Sequence, residues 1–252
     1  MALTSDYTKL LHFDRSERIN ILILAFVFAF VLTLKSILEN TTVGVYSMLF
    51  VFIGMVVVLF MHEGGHKLAA AIQGYSVRIT RFTAGLLVSV FISMYTLGVI
   101  PIATPNTLEM DAHPTRRLRR YFKYESNYPQ AIISFGGLLG SVIAIAFFKM
   151  LATLLGVTLF ETIVVGAVLH AFYSLIPFEL LKLLSLRFTT NPGTCSPGDG
   201  VHIFWWSHAA YIFALVFIIV YGLIAITTGV IAMGFSLFLA AISTWVYSRW
   251  VR

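Results

Sequence analysis

Long runs of apolar residues, separated by short segments rich in charge, organise this chain. A helix needs about 20 apolar residues to cross the hydrocarbon core of a bilayer, and several runs have that length. The last run, over 209–246, is long enough for two helices with a break near Thr227–Gly229. Besides these two, four helices are expected at 19–38, 43–61, 131–155 and 162–176. Together the runs predict an all-α multipass membrane protein with about six transmembrane helices.

A further apolar run, residues 84–103, is interpreted differently. It is long enough to cross, but a single crossing would place the basic residues at its two ends on opposite faces, against the positive-inside tendency. Val88, Ile92 and Tyr95 favour a strand, and Pro101 closes the run. We therefore expect a small membrane-associated β segment that folds back to the side on which it began. The flanking basic residues are Arg78, Arg81, Arg116, Arg117, Arg119, Arg120 and Lys123.

Composition agrees with a bilayer as the solvent. Charged residues make up 11% of the chain, less than half of the roughly 25% typical of soluble domains, and 59% of residues are hydrophobic, which excludes disorder. Cys195 is the only cysteine, which excludes a disulfide scaffold. The net charge of +6 lies in short segments between apolar runs, as in cytoplasmic membrane loops, and does not indicate nucleic acid binding. We expect one integral domain over 1–252, in the cell membrane, with both termini cytoplasmic.

The second apolar run leads into His62-Glu63-Gly64-Gly65-His66, which has the H-E-x-x-H pattern. Four residues apart on a helix, the two histidines share a face and can bind one metal ion. Glu63 would then lie beside the ion and take a proton from water. The alternative is a pair of interfacial histidines with a glutamate that caps the helix. Three ionisable groups near hydrocarbon are costly unless a metal compensates them, which favours the metal site.

Two features around this motif need an explanation. The glycines weaken a helix by about 1 kcal/mol each, which indicates close approach of a packed backbone or a substrate. A catalytic zinc site usually has three protein ligands, so a third is required. Asp199 follows a turn-rich stretch, but it could equally be a helix N-cap. The residues alone leave several acidic candidates on this side: Glu109, Asp111, Glu125, Glu179 and Asp199.

Residues 61–70 resemble the opening motif of the site-2 protease family of intramembrane zinc metalloproteases. Further blocks match in order, so that the resemblance covers about residues 45–206: 97–102 (Leu-Gly-Val-Ile-Pro-Ile), 134–138 (Ser-Phe-Gly-Gly-Leu), 175–178 (Leu-Ile-Pro-Phe) and 199–204 (Asp-Gly-Val-His-Ile-Phe). The resemblance implies a catalytic core at about 43–206, between the N-terminal helix 19–38 and C-terminal helices at about 209–246. It also implies that Asp199 joins His62 and His66 as the third ligand of one Zn²⁺.

The chain departs from the family pattern at several places, two of which bear on the site. Ser174 stands where the family has an asparagine that is thought to help hold the substrate or the oxyanion, and residues 181–194 form an insertion before Asp199. His170 lies one helical turn before Ser174 and shares its face, so it is either a packed histidine or a second group that contacts substrate. His202 and His208 are expected at the membrane interface.

These expectations describe a metalloendopeptidase that hydrolyses peptide bonds of transmembrane peptides or proteins within the lipid bilayer. Glu63 would act as general base on zinc-activated water, and the extended segment around Val88–Tyr95 would pair with an unwound substrate by strand addition. The alternatives are a catalytically inactive homologue that binds membrane helices and a membrane transporter. The sequence leaves the substrate, the cleavage site and the oligomeric state open.

Overall fold

The computed structural model describes residues 11–73, 75–81, 83–102, 106–112, 128–176, 199–227 and 235–250. This part of the chain is mostly helical, with one small sheet. In chain order its elements are α1 (Arg15–Glu39), α2 (Thr41–Gln73), β1 (Tyr75–Thr80), α3 (Thr83–Tyr95), β2 (Thr107–Ala112), α4 (Tyr128–Leu155), α5 (Thr158–Leu175), α6 (Asp199–Trp206), α7 (His208–Thr227) and α8 (Phe235–Trp250).

Five of the described helices, α1, α2, α4, α5 and α7, are long and apolar enough to cross a membrane. The helices expected at 19–38, 43–61, 131–155 and 162–176 are therefore present, but the expected total of about six is one more than this. The run over 209–246 divides into two helices, and the second, α8, has 16 residues. At 1.5 Å per residue it is about 24 Å long, shorter than a hydrocarbon core of about 30 Å.

Several sequence expectations fall outside the described residues. They are the break at Thr228 and Gly229, the insertion at 181–194, the basic residues at 116–123, and Cys195.

Glycines bring α2 and α4 into close contact. A Cβ on Gly65 would collide with the carbonyl of Gly136, and one on Gly140 would collide with the carbonyl of Met61. At Gly65, of the two alternatives expected for the motif glycines, it is a packed backbone that approaches closely. At Gly64, in contrast, a Cβ would meet nothing within 4 Å. The two glycines of the H-E-x-x-H motif therefore have different surroundings, one packed and one open.

The segment between the two strands folds back as expected. β1 and β2 pair antiparallel, with Thr80 opposite Thr107, so the chain between them leaves and rejoins the same end of the sheet. The strands themselves lie at Tyr75–Thr80 and Thr107–Ala112, on either side of the apolar run and not within it.

The expectation of extended structure at 84–103 is wrong, because Thr83–Tyr95 is the helix α3. A helix satisfies its backbone hydrogen bonds internally, whereas a lone strand surrounded by apolar material leaves them unpaired. The β propensity of valine and isoleucine is weak beside that requirement. Ser89 and Ser93, one turn apart, are fully buried, while Phe91 and Tyr95 are exposed. The polar side of α3 therefore faces the protein and its apolar side faces outward, as suits a helix bordered by lipid.

This segment reaches far along α1. At the base, the backbone N–H of Ile79 in β1 donates to Glu17 of α1. At the tip, Gly98 has a φ of 78° and packs against Leu34 and Lys35 of the same helix. The helical rise between Glu17 and Leu34 is about 25 Å, so the tip lies most of a bilayer thickness away from the sheet.

A buried ion pair fixes the end of α2 to α1. Lys67 Nζ lies 2.8 Å from Glu17 Oε2 and also donates to the carbonyl of His12. Both charged side chains are almost fully buried. Because Lys67 directly follows His66, this pair holds the H-E-x-x-H segment of α2 against α1 and, through Glu17, against β1.

Candidate metal centre

The two histidines of the H-E-x-x-H motif lie on one face of α2, as their spacing requires. His62, Glu63 and His66 are each no more than 2% exposed. The Nε2 atoms of His62 and His66 are 3.0 Å apart. Two neutral imidazoles can hold this contact only if one donates, and a cation that accepts both lone pairs would replace it.

The far nitrogen of each ring is held by α4. His66 Nδ1 donates to the carbonyl of Ile133 at 2.9 Å. A carbonyl oxygen can only accept, so Nδ1 carries the hydrogen and the lone pair of the neutral ring is on Nε2. His62 Nδ1 lies 2.8 Å from Ser141 Oγ, which can accept in the same way. Gly137 leaves the space that the His66 ring fills, because a Cβ there would collide with the imidazole.

Asp199, the first residue of α6, closes the group. Its Oδ2 is 3.3 Å from His66 Nε2 and 3.5 Å from His62 Nε2. Burial would raise the pKa of Asp199, but the imidazoles of His66 and His62, when they are protonated and donate from Nε2, outweigh it and lower that pKa below its ordinary value. Asp199 is therefore an anion at neutral pH. Gly200 lets α6 pack closely on the carbonyl of Leu175.

These three residues can hold a metal ion. One ligand atom from each of His62, His66 and Asp199 lies within 4.8 Å of the others. Two imidazole nitrogens and one carboxylate oxygen suit a transition metal better than Mg²⁺ or Ca²⁺, which prefer oxygen. Asp199 Oδ1 and Glu63 Oε2 are buried and have no hydrogen-bond partner among the described residues. Buried polar atoms without partners are uncommon. Here one belongs to a candidate ligand and the other to the residue next to His62, as expected if an ion and water belong there.

Glu63 has one partner that was not foreseen from the sequence. Asn106 Nδ2 donates to Glu63 Oε1 at 3.0 Å. Asn106 directly precedes β2, whose Thr107 pairs with Thr80 at the end of β1 that is remote from the end of α2. The asparagine therefore lies back along α2, beside Glu63. No motif marks this asparagine. The only signal was its place at the end of an apolar run that was expected to fold back.

Among the described acidic residues, Asp199 is the one that comes together with the two imidazoles. Glu109 is exposed on β2, opposite Arg78 of β1. Asp111 belongs to the same strand, opposite Ser76. Glu125 and Glu179 lie outside the described residues. The N-cap alternative for Asp199 and its ligand role do not conflict, because a residue at a helix N-terminus can direct a carboxylate oxygen elsewhere.

His170 and Ser174, both on α5, are buried but differ in their surroundings. Ser174 Oγ donates to the carbonyl of Ala171 in its own helix. The His170 ring is 4.4 Å from the His62 ring and 5.5 Å from the Phe28 ring, centroid to centroid. Neither of its nitrogens has a hydrogen-bond partner in the described part of the chain. His170 therefore lies directly beside His62, one of the three candidate ligands, and has unused hydrogen-bonding capacity among the described residues.

His202, which was expected at the membrane interface, is buried within the protein. It is 6% exposed, on the same helix as Asp199, and its Nε2 has no partner within the described ranges. Burial lowers the pKa of His202, which keeps it neutral.

No family model, no curated protein and no solved structure matches this chain.

Proposed function

We propose that this chain is an intramembrane zinc metalloprotease that hydrolyses peptide bonds of transmembrane substrates. The observation that carries the proposal is the convergence of His62, His66 and Asp199 beside Glu63, near the end of a helix long enough to cross a membrane. A purely structural role does not require two imidazoles and two carboxylates at such a place, where burial of polar groups is costly. Nor does it require polar atoms that have no partner among the described residues.

The donor set supports zinc. Catalytic zinc sites commonly combine three protein ligands with a fourth position open to water or substrate. When bound, the ion would lower the pKa of water toward about 7 and polarise the scissile carbonyl. Ile133 and Ser141 would hold the two imidazoles with their Nε2 atoms toward it.

Glu63 would move the proton. Its Oε1 is occupied by Asn106, and its Oε2 is buried without a partner among the described residues. Hydrolysis joins the oxygen of water to the carbonyl carbon and breaks the C–N bond. The proton taken up at Oε2 passes to the leaving amine nitrogen, so that one carboxyl and one amine product form.

A transmembrane substrate hides its peptide bonds in helical hydrogen bonds and must unwind before attack. β2 is the strand to which an unwound segment would add. The outer edge of β1 is occupied at Ile79, whose N–H donates to Glu17 and whose carbonyl accepts from Asn20. Leu108, opposite Ile79, would accordingly present its backbone groups on the outer edge of β2. This replaces Val88–Tyr95, which is helical, as the segment proposed for strand addition.

His170 and Ser174 are proposed as substrate contacts on the α5 side. Ser174 uses its hydroxyl within its own helix, whereas His170 keeps both ring nitrogens without a partner in the described structure. A neutral imidazole can donate one hydrogen bond to a substrate carbonyl. Of the two, His170 is therefore the better candidate for the oxyanion or substrate role.

We also propose that the protein is a multipass protein of the cell membrane with cytoplasmic termini. The basic residues of the short segments between apolar runs support this orientation. The bilayer and a transmembrane peptide or protein are then its partners.

Metal analysis of the purified full chain tests the proposal most directly. Wild type should bind one zinc per chain, and His66→Ala and Asp199→Ala should each lose most of it, because each removes a ligand. Glu63→Gln should keep zinc but lose cleavage of a panel of transmembrane peptides in detergent or bilayers. The proposal would be contradicted if wild type held less than about one tenth of an equivalent of zinc under conditions that load a three-ligand site.

One observation favours a second function, a catalytically inactive homologue that binds membrane helices. The family asparagine is absent, and the hydroxyl of Ser174 is engaged within its own helix. Such a protein would bind membrane peptides without cleaving them, and its binding would not depend on the carboxylate of Glu63. Unchanged peptide binding by Glu63→Gln, together with no cleavage by wild type, would support this second function.

A further inference from the structure

We infer that Asn106 is a positioning residue for Glu63: its amide fixes the carboxyl group so that Oε2 is the oxygen that exchanges the proton. The inference deepens the proposed function and rests on it. It starts from the hydrogen bond of 3.0 Å between Asn106 Nδ2 and Glu63 Oε1, which joins two segments far apart in sequence.

The chemistry of the pair fixes its direction. An ionised carboxylate only accepts hydrogen bonds, so the amide NH₂ of Asn106 must face it, and the carbonyl Oδ1 must point elsewhere. With the opposite amide orientation, two oxygens would repel each other. The bond therefore holds one carboxyl oxygen and leaves the other, Oε2, buried without a partner in the part of the chain that the structure describes.

A free glutamate side chain rotates about its last torsion with little preference between the two oxygens. A general base must lie within hydrogen-bond reach of the proton it takes. Anchoring Oε1 removes this rotation, because Oε1 cannot leave Asn106 without breaking the bond. The carboxyl group is then already oriented before water or substrate arrives.

Asn106 is itself held by the fold. Thr107, the next residue, pairs with Thr80 of β1. On the other side, the carbonyl of Pro101 accepts a hydrogen bond of 3.0 Å from Tyr173 of α5. The amide that contacts Glu63 therefore directly precedes a residue fixed by the pairing with β1, and Pro101, earlier in the chain, has its own contact with α5. A surface asparagine that met Glu63 by chance would have no such anchors.

The test compares Asn106→Leu, Asn106→Gln and Asn106→Asp in the full-length zinc-loaded protein with a transmembrane peptide substrate. Leucine keeps the size but removes the donor, and we expect kcat to fall about 10- to 100-fold, with KM within about twofold of wild type. Glutamine keeps the amide and should restore part of kcat. Aspartate places a second anion against Glu63 and should be at least as slow as leucine.

A second readout does not depend on activity. In zinc-free protein, the infrared difference between each chain and its Glu63→Gln counterpart isolates the Glu63 carboxyl band. That band should shift in Asn106→Leu, because the band frequency of a carboxyl group responds to loss of a hydrogen bond. The matched control is Asn20→Leu, which removes an amide donor to Ile79 of the same sheet without contacting Glu63. It should leave the band in place, and zinc content should be equal in all variants.

The inference is overturned if Asn106→Leu leaves kcat within about twofold of wild type, if Asn20→Leu lowers kcat equally, or if the carboxyl band does not move. Failure of the proposed function gives a different pattern. In that case wild type and Glu63→Gln do not differ in cleavage, whatever residue stands at 106.

Discussion

Ser141 Oγ lies 2.8 Å from Nδ1 of His62, on the side of the ring away from His66 and Asp199. Both side chains are buried, so the ring of His62 cannot turn to water when this contact is lost. Ser141 belongs to α4 and His62 to α2. Their contact therefore couples the packing of these two helices to the orientation of a candidate ligand.

Substitution of Ser141 by alanine should therefore weaken metal binding without removing a ligand. The His62 ring loses its fixed orientation and its Nδ1 is left unpaired, for which we expect a loss of about 10- to 100-fold in zinc affinity. Competition with a chromophoric chelator measures it. Ser134→Ala is a useful control, since Ser134 is equally buried on α4 but its hydroxyl has no hydrogen-bond partner in the described structure. Equal affinities for the two variants would contradict the role given to Ser141.

The adjacent glycines Gly64 and Gly65 should respond in opposite ways to alanine. Gly65→Ala must push α2 away from the carbonyl of Gly136 and should destabilise the protein by about 1–3 kcal/mol. Gly64→Ala meets no protein atom within 4 Å and should stabilise α2 by up to about 1 kcal/mol. Thermal unfolding in detergent measures both.

Activity separates the two glycines further. If a substrate backbone approaches α2 at Gly64, the added methyl group should lower cleavage while the stability rises. Wild-type cleavage by a stable Gly64→Ala protein would exclude that approach and leave Gly64 without a role in substrate binding.

Metal removal should lower stability as well as activity. A ligand that binds only the folded chain contributes about 2.7 kcal/mol when its concentration is 100 times its dissociation constant. We expect chelation to lower the unfolding temperature of wild type and zinc to restore it. Asp199→Ala should show neither change, and a zinc-dependent shift of the same size in that variant would place the ion elsewhere.

Proline substitutions on β2 test strand addition. Proline is tolerated on an edge strand where the lost N–H points outward. Met110 is two residues after Leu108 and presents its backbone to the same outer edge. Met110→Pro should therefore keep the pairing with β1 yet reduce cleavage of a helical membrane substrate by about tenfold. Met110→Ala retains the N–H and should cleave normally. Equal rates for both variants would count against β2 as the docking strand.

Removing one charge of the buried ion pair should lower the free energy of unfolding more than removing both charges. Lys67→Met leaves Glu17 buried without its counter-ion, which we expect to destabilise the chain by about 3–5 kcal/mol. In the double variant Glu17→Gln with Lys67→Met, neither charge of the pair remains, and about half of that loss should be recovered. A double-mutant cycle by thermal unfolding measures the difference. Additive losses would mean that the two charges do not interact.

The long helices could be predicted because lipid imposes a simple rule: about 20 apolar residues with internal hydrogen bonds. The fold-back of residues 84–103 was predictable from charge, but its helical form was not evident from valine and isoleucine. Strand propensity describes how a side chain fits a half-buried sheet. For Thr83–Tyr95 the hydrogen bonds of the backbone decided the structure, because a helix forms them within itself.

The site residues that are close together in sequence could be predicted, whereas those brought in by tertiary packing could not. His62, Glu63 and His66 lie on one helical turn, so their spacing alone places them together. Asp199 could not be chosen from the residues alone, because its approach to the histidines depends on the packing of Gly200 against Leu175. It was one of several acidic candidates until the resemblance singled it out. Asn106 could not be found at all, since its position depends on the register in which β2 pairs with β1.

The contact between Glu17 and Lys67 bears on how small a working version of this protein can be. A fragment that began at residue 43 would contain every candidate ligand, yet it would carry a lysine ammonium in an apolar interior, next to His66, with no acid to neutralise it. The backbone of β1 at Ile79 would lose both of its partners in the same cut. The first helix is thus part of what holds the candidate metal-binding turn in shape, and a minimal version of this chain has to begin before His12, whose carbonyl also accepts from Lys67.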